Sequence, residues 1–167
     1  HYDKHILVPF GEFMPFRRYL PASIGRLVQG GADFTPGHTP PDLVADGAHF
    51  LPLVCYEAIF PAYVARHSTG KVAIINLTND AWFGDTPGPA QHFAMARVRA
   101  VETGLPLVRD ANNGITAVTD GYGRITATLP RDVASALQAR VPKALKTTTP
   151  FAFVLQYLYN LSHHYEN

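Results

Sequence analysis

The sequence lacks the features that mark several classes of protein. It holds one cysteine among 167 residues, so no disulfide can form within the chain, and no Cys/His spacing suits a zinc site. Lys and Arg number 14 against 13 for Asp and Glu, a formal net charge of +1. Nucleic-acid-binding domains usually carry an excess of positive charge. We therefore predict no metal site and no nucleic-acid partner.

Long apolar runs are also missing. Crossing a bilayer takes about 20 apolar residues, whereas the longest candidate, residues 151–161, is too short and is interrupted by Gln156. No signal peptide is visible, and the chain begins with His1 directly before a strand-like run. We expect the chain to be a piece of a longer protein. Residues 146–167 would then form a C-terminal tail and a candidate start of a membrane segment.

The pattern that is present predicts an α/β domain. Apolar runs predict strands at residues 5–10, 49–55, 72–77, 106–108, 115–118 and 125–128. An alternating pattern predicts an edge strand at 135–141, and helical spacing predicts helices at 58–67 and 89–103. The apolar run at 72–77 is typical of a strand that is covered on both faces.

Glycine and proline predict the turns and loops. Ala45-Asp46-Gly47 has the composition of a hairpin turn leading into the strand at 49–55. Residues 13–41 are rich in Pro, Gly and aromatic side chains, which predicts a long loop with one short helix. Long irregular loops inside compact domains are usually functional or mobile.

Cys55 stands at the end of a predicted strand and directly before a predicted helix. The positive end of a helix stabilises a thiolate and supplies backbone N–H donors for an oxyanion. Glu57 beside it is a candidate general base, or a carboxylate at the helix N-terminus. A single cysteine is also compatible with a small, inert, buried side chain, so both interpretations stay open on these residues alone.

Lys4 and Glu12 lie on either side of the first predicted strand. Each by itself is readily explained as a solvated surface charge. A thiol acyl-transfer site, however, needs a nucleophile, a proton acceptor, and a cation or donors for the tetrahedral oxyanion. Lys4 can supply that cation to a site at Cys55, and a carboxylate such as Glu12 can hold its ammonium in place.

Five segments in order resemble the apolipoprotein N-acyltransferases, a branch of the nitrilase, or carbon-nitrogen hydrolase, superfamily. They are YDKHILVPFGE at 2–12, CYE at 55–57, NDAWFG at 79–84 followed by GP at 88–89 and QHF at 91–93, MARVRAVE at 95–102, and NNGITAV at 112–118. The resemblance covers about residues 2–130. Five ordered blocks are far more specific than any one triplet.

The resemblance implies a nitrilase-type αββα sandwich, an α/β fold that here lacks its N-terminal portion. The nitrilase-like domain would occupy residues 1–145, before the tail at 146–167. It implies Cys55 as nucleophile, Lys4 as oxyanion stabiliser and Glu12 as supporting glutamate, with no cofactor. The general-base glutamate of the family lies upstream of the lysine segment, so we expect this fragment alone to be inactive.

The resemblance also assigns residues to the pocket. Tyr56 and Glu57 would shape it, with the Tyr56 backbone N–H completing the oxyanion hole. Trp82 and Phe83 would line its mouth, although plain core packing is an alternative for this pair. On the long predicted helix, we expect a structural ion-pair network of Arg97, Arg99 and Glu102.

The implied reaction is acyl transfer in lipoprotein maturation. A membrane phospholipid would acylate Cys55, and the thioester would pass the acyl chain to the N-terminal α-amine of a diacylated apolipoprotein. The implied location is the bacterial inner membrane, with this domain on the periplasmic face. The loop residues Phe13, Met14, Phe16 and Tyr19, beside Arg17-Arg18, would suit a membrane-facing lid, although an ordinary surface loop is equally compatible.

Two other functions fit the same residues. A soluble nitrilase-superfamily amidase or carbamoylase would use the same site with water as acceptor and hydrolyse a C–N bond. A non-enzymatic α/β interaction module would leave Cys55 buried and inert.

Overall fold

The computed structural model describes residues 1–19, 33–129, 131, 133–146 and 149–164. It divides the chain into two compact units, His1–Pro40 and Pro41–Asn167.

The first unit contains a tight turn where a strand was predicted. Residues 5–10 do not form a strand; the N–H groups of Gly11 and Glu12 both bond to the Val8 carbonyl, at 3.3 and 2.8 Å. Phe10 takes a φ of 64°, and Pro9 has no N–H to donate to a neighbouring strand. The backbone donors are therefore satisfied locally, and the prediction of a strand was wrong.

The predicted long loop contributes one short element to the first unit. A 3₁₀ helix spans Arg17–Tyr19, which agrees with the single short helix predicted there. Residues 20–32 of this loop lie outside the described residues.

The second unit is built on a six-stranded sheet, and its order follows the chain. The strands are β1 Leu43–Ala45, β2 Ala48–Val54, β3 Ala73–Asn79, β4 Leu107–Asn112, β5 Ala117–Thr119 and β6 Ile125–Thr128. β2, β3 and β4 are parallel, and the other pairings are antiparallel. The α/β class predicted from the sequence is confirmed.

Three α-helices accompany the sheet in the described part of the chain. They are α1 Pro61–His67, α2 Gly88–Thr103 and α3 Pro150–His164. Two 3₁₀ helices, Cys55–Ile59 and Asp80–Phe83, follow β2 and β3 directly. The helix predicted at 58–67 is thus split in two, because residues up to Ile59 belong to the 3₁₀ helix and the α-helix starts at Pro61.

Local signals explain the turns that position the sheet. Asp46 and Gly47 both have positive φ, 50° and 75°, as a two-residue hairpin of type I′ requires. α2 carries Pro89 in its first turn and ends at Gly104, whose φ of 72° is the left-handed C-cap conformation. These predictions from the sequence are confirmed.

The core lies on the helix-covered face of the sheet. It joins the inward side chains of β2, β3, β4 and β5 to α1 and α2, and consists of Leu51, Leu53, Ala58, Val64, Ile74, Phe93, Ala96, Ala100, Leu105, Leu107 and Ala117. On the opposite face of β3, Leu77 is 53% exposed. The prediction that 72–77 is covered on both faces is therefore wrong for the described residues.

Two predictions for the C-terminal part of the chain have different outcomes. Residues 135–141 belong to no helix or strand and pair with no strand of the described sheet, and nearly all are exposed. The predicted edge strand was wrong, because alternation without a buried face gives a segment nothing to pack against. Within the tail at 146–167, α3 packs against α1 and α2. Among the described helices, none is long and apolar enough to cross a membrane.

Candidate functional site

Lys4 and Glu12 form an ion pair in the first unit. The Lys4 ammonium contacts both carboxylate oxygens of Glu12, at 2.7 and 2.6 Å. The turn after Val8 brings this carboxylate back, since the Val8 N–H also donates to Glu12 Oε2 at 2.8 Å. The Lys4 and Glu12 side chains are only 10% and 19% exposed. The interpretation of each as a solvated surface charge is therefore wrong.

A cleft of about 650 Å³ opens beside this pair within the first unit. Its lining includes Lys4, Glu12, Leu7 and Phe34. The Lys4 ammonium therefore borders open space on one side, while Glu12 contacts it with both carboxylate oxygens.

Cys55 occupies the sharp turn between β2 and the 3₁₀ helix Cys55–Ile59. Its φ of 52° lies in the left-handed region, which costs an L-residue about 1–2 kcal/mol. Such strain tends to collect at active sites, where the surrounding structure holds it in place. The Cys55 side chain is partly exposed, so its thiol is not sealed inside the core.

Glu57 stabilises this turn through a hydrogen bond between its buried carboxylate and the backbone. Its carboxylate accepts the Val54 N–H at 2.7 Å and is completely buried. By binding the backbone just before Cys55, this buried carboxylate stabilises the conformation of the turn. Tyr56, which lies between Cys55 and Glu57, packs edge-on against Phe60 with ring centroids 5.2 Å apart.

Trp82 and Phe83 lie in the 3₁₀ helix that follows β3. Trp82 is 55% exposed and Phe83 37% exposed, so plain core packing does not describe Trp82. Because β2 and β3 are adjacent and parallel, Cys55 and this aromatic pair follow strands that end at the same edge of the sheet. Ligands of open α/β sheets usually bind outside such carboxyl ends.

A buried polar network at the same edge was not predicted from the sequence. Arg109 on β4 donates to Asp80 Oδ2 at 2.8 Å and to the side-chain oxygen of Asn76. Asp80 Oδ1 lies 2.8 Å from His92 Nδ1 and accepts the Thr78 hydroxyl at 3.0 Å. Asn76, Asp80 and Arg109 are each no more than 1% exposed.

The electrostatics of the network follow from burial and pairing. Burial acts to raise the pKa of Asp80, but the His92 hydrogen bond and the Arg109 charge outweigh it, and that pKa lies below its usual value. Burial lowers the pKa of the Arg109 guanidinium, against the attraction of Asp80 and of Cys55. Asp80 is therefore ionised, and its carboxylate faces both the Arg109 guanidinium and the His92 ring.

Weak signals for this network exist in the sequence. Asn76 and Arg109 are polar residues at buried positions of β3 and β4, and buried polar side chains need partners. Asp80 and His92 belong to the motif blocks, but a motif alone assigns them no contact. The predicted ion pair of Arg99 with Glu102 is present, at 2.8 Å, whereas Arg97 makes no ion pair with the described residues.

The predicted site residues thus fall into two groups. Lys4 and Glu12 are brought together in the first unit. Cys55, Tyr56 and Glu57 form one turn of the second unit, with Trp82 and Phe83 after the neighbouring strand.

Comparisons with known proteins agree with the motif blocks. The sequence model of the carbon-nitrogen hydrolases matches residues 1–150. An apolipoprotein N-acyltransferase of Brucella melitensis is 53% identical over 142 residues, 84% of this chain and 27% of that protein. The protein of that name from Rickettsia typhi is 44% identical over 154 residues, 90% of this chain and 30% of its own. The chain therefore spans less than a third of the length of these relatives.

Solved structures support the fold. An amidase from Nesterenkonia sp. matches with a TM-score of 0.50 and 27% identity, over 60% of this chain and 41% of that one. A variant of the Nesterenkonia AN1 amidase from the nitrilase superfamily gives a TM-score of 0.53 at 23% identity, over 81% of this chain and 51% of that one. The predicted resemblance and the nitrilase-type fold class are confirmed.

Proposed function

This chain belongs to the carbon-nitrogen hydrolase family, and we propose that it carries the thiol nucleophile of an apolipoprotein N-acyltransferase. The observation that supports this most directly is the Cys55 turn, in which a partly exposed thiol sits at a strand end on strained backbone. The relatives of that name, at 44% to 53% identity, support the proposed substrate class.

In the first step the thiolate of Cys55 attacks the carbonyl carbon of a phospholipid ester. A C–S bond forms, the ester C–O bond breaks, and the lysophospholipid leaves with its alcohol oxygen protonated by the general acid. In the second step the α-amine of a diacylated N-terminal cysteine attacks the thioester. A C–N bond forms, the C–S bond breaks, the amine loses a proton, and the thiol is restored. The thioester divides one difficult transfer into two easier ones.

The remaining site residues serve this chemistry. Lys4 stabilises the tetrahedral oxyanion with its ammonium, helped by the Tyr56 backbone N–H, and Glu12 keeps Lys4 in place through two hydrogen bonds. Glu57 shapes the pocket by holding the turn. No cofactor is needed, and the general base is a glutamate upstream of the lysine segment.

Trp82 and Phe83 line the mouth of the pocket, as their partial exposure allows. The domain at 1–145 works at the bacterial inner membrane on its periplasmic face, with the phospholipid donor and the apolipoprotein acceptor as its partners, and the tail at 146–167 is a candidate start of a membrane segment.

An aromatic surface on the first unit supports a membrane-facing role for the loop. Phe16 and Tyr19 are 76% and 69% exposed, and the Arg18 guanidinium lies 4.7 Å from the centre of the Tyr19 ring. Aromatic and basic side chains together favour a lipid interface. Met14 is buried at 4% exposure and does not belong to this surface.

The test follows an isotopically labelled acyl chain in the full-length protein. With labelled phospholipid and a diacylated peptide bearing a free N-terminal cysteine, we expect the label on the peptide amine and an equal amount of lysophospholipid. A peptide with an acetylated amine, the matched control, should accept none. Hydrolysis of simple amides without transfer to the peptide would instead favour the amidase or carbamoylase, and no turnover of either kind would favour the interaction module.

A further inference from the structure

Residues 33–37, here called the strap, lie along the two segments that carry Lys4 and Glu12. At one end of the strap, the Phe34 N–H donates to the Glu12 carbonyl at 2.8 Å. At the other end, the Gly37 N–H donates to the Lys4 carbonyl at 2.7 Å. The strap therefore bonds the main chain of both members of the ion pair, while their side chains bond each other. These contacts form a closed ring that includes the Lys4 ammonium.

The strap is stiff and is anchored beyond the ion pair as well. The Asp33 carboxylate accepts the Met14 N–H at 3.1 Å, and Met14 itself is buried. Pro36 has a fixed φ, and it disfavours helical backbone at Thr35 before it. The two bonds of the strap to the ion pair are therefore held at a set spacing.

Gly37 brings the strap into direct contact with the backbone before Lys4. A Cβ atom at this position would overlap the Asp3 carbonyl oxygen and lie 2.8 Å from the carbonyl carbon of that residue. Both are main-chain atoms, so no change of rotamer could relieve the clash. The short hydrogen bond to the Lys4 carbonyl therefore depends on a residue without a side chain.

Closing the chain over this turn does not by itself require such a close approach. Residues 33–36 are exposed, so water could satisfy the Lys4 carbonyl if the strap lay slightly further out. The close approach adds a fixed main chain to a lysine whose ammonium is already held by Glu12. A lysine carries its charge on a flexible four-carbon stem, so holding both ends of the residue keeps the cation in one place.

We propose that Gly37 is a positioning residue for Lys4, because it lets the strap bond the Lys4 main chain and so fixes the ammonium for oxyanion stabilisation. A donor that is already in place when the oxyanion forms needs no reorganisation during the reaction. The inference rests on the proposed role of Lys4 and adds the residue that keeps this oxyanion stabiliser in position.

The first test measures how firmly Lys4 is held, and it needs no phospholipid. The full-length protein is reductively methylated to a low extent, and mass spectrometry gives the rate for each lysine peptide. In Gly37→Ala we expect Lys4 to react roughly tenfold faster than in the wild type, because a hydrogen bond that holds its main chain is lost. Lys71, a similarly buried lysine that is paired with Asp42 in the second unit, should keep its wild-type rate.

Gly11→Ala is the matched control for this variant. Gly11 lies beside Glu12 in the same unit, and a Cβ atom there would lie 3.4 Å from Val8 Cγ1, an ordinary van der Waals contact. Gly11→Ala should therefore leave the Lys4 rate unchanged. An unchanged Lys4 rate in Gly37→Ala, or an equal rise at Lys4 and Lys71, would overturn the proposal.

A double-mutant cycle tests whether Gly37 acts through Lys4. In the wild-type background, Gly37→Ala should lower the single-turnover acylation rate of Cys55 roughly tenfold to a hundredfold, as expected when a catalytic group is displaced. In the Lys4→Met background it should cause no further loss, because the charge that it positions is gone. Losses that multiply in the double variant would show a purely structural role and refute the proposal.

A second variant decides the question if Gly37→Ala does not fold. Pro36→Gly adds no atom to the contact with Asp3 but makes the strap more flexible, so Lys4 should again react faster than in the wild type while Lys71 does not. A wild-type Lys4 rate in Pro36→Gly would overturn the proposal. A protein that forms no acyl adduct would refute the proposed function, whereas the methylation rates would still report whether the strap holds Lys4.

Discussion

Burial gives Lys4 a chemical capability that a lysine on the open surface lacks. A lysine with a side chain 10% exposed and two contacts to one carboxylate has lost most of its hydration and most of its rotamer freedom. An ammonium fixed in this way can stabilise an oxyanion without having to reorganise during the reaction. A lysine on an open surface would first have to lose water and rotamer freedom before it could stabilise the oxyanion.

Replacing Lys4 tests this role. Lys4→Met keeps the length of the side chain and removes the charge, and we expect the acylation rate of Cys55 to fall by roughly 10²–10³, the usual loss for one oxyanion donor. The rate is measured in a single turnover with labelled phospholipid, on protein shown to be folded by its Tm, because Glu12 would be left without its cation.

Lys71 offers a matched control for this variant. It forms a 2.6 Å pair with Asp42 and its side chain is 12% exposed, but it precedes β3 and so lies at the opposite end of the parallel strands from Cys55. Lys71→Met should acylate at the wild-type rate. A Lys4→Met protein with near-normal turnover would reduce Lys4 to a structural charge.

The site residues differed in how far the sequence could predict them. Cys55, Lys4 and Glu12 were predicted because a lone thiol at a strand end and two charges around a short run suggest a common chemistry, and the family resemblance assigns them roles in it. Asn76 and Arg109 were not found, because a polar residue in a strand gives no sign of which strand it will pair with. Their partnership depends on the register of β3 and β4, which only the folded chain determines.

Among the secondary-structure elements, the junction of β2 with the 3₁₀ helix Cys55–Ile59 is the feature on which the proposed site depends. A strand that ends on a left-handed residue turns sharply, and the side chain at the turn is presented at the edge of the sheet. Glu57 stabilises that conformation by accepting the Val54 N–H. The backbone strain at Cys55 is thereby maintained by the elements on both sides.

This strain predicts an unusual order of stability between two variants. Glycine adopts a positive φ without penalty, so Cys55→Gly should be more stable than Cys55→Ala by about 1 kcal/mol, visible as a higher Tm. Ala58→Gly, in the same 3₁₀ helix but outside the left-handed region, should instead lower the Tm. Equal Tm values for the two Cys55 variants would mean that the turn carries no strain.

Elements with strong local signals were predictable, and those that depend on partners were not. The hairpin at Asp46-Gly47 and the end of α2 at Gly104 were predictable because these residue types favour a positive φ whatever their partners in the fold. Residues 5–10 and 135–141 have strand-like composition, but a strand exists only where a neighbour accepts its hydrogen bonds. Composition cannot supply that neighbour.

At the scale of the whole molecule, the position of the general base decides what the chain can do alone. Proton removal from the thiol and proton return to the leaving group need a carboxylate within reach. Glu12 already bonds Lys4 and the Val8 N–H, and Glu57 is buried against the Val54 N–H. Both local carboxylates are thus engaged in holding structure.

We therefore expect residues 1–167 alone to show no transferase or amidase turnover. The full-length protein should be active in the same assay, and replacing its upstream glutamate with glutamine should abolish that activity. Robust turnover by residues 1–167 would make Glu57 or Glu12 the general base.

If Cys55 carries the acyl chain, the mass of the protein should show it after incubation with phospholipid and no acceptor. We expect the peptide that contains Cys55 to gain the mass of one acyl chain, hydroxylamine to remove it as it removes thioesters, and Cys55→Ala to gain nothing. Cys55→Ser should accumulate little or no adduct, because a hydroxyl is the weaker nucleophile. An acyl adduct that persists in Cys55→Ala, or one found on another residue of the wild-type protein, would show that Cys55 is not the acyl carrier.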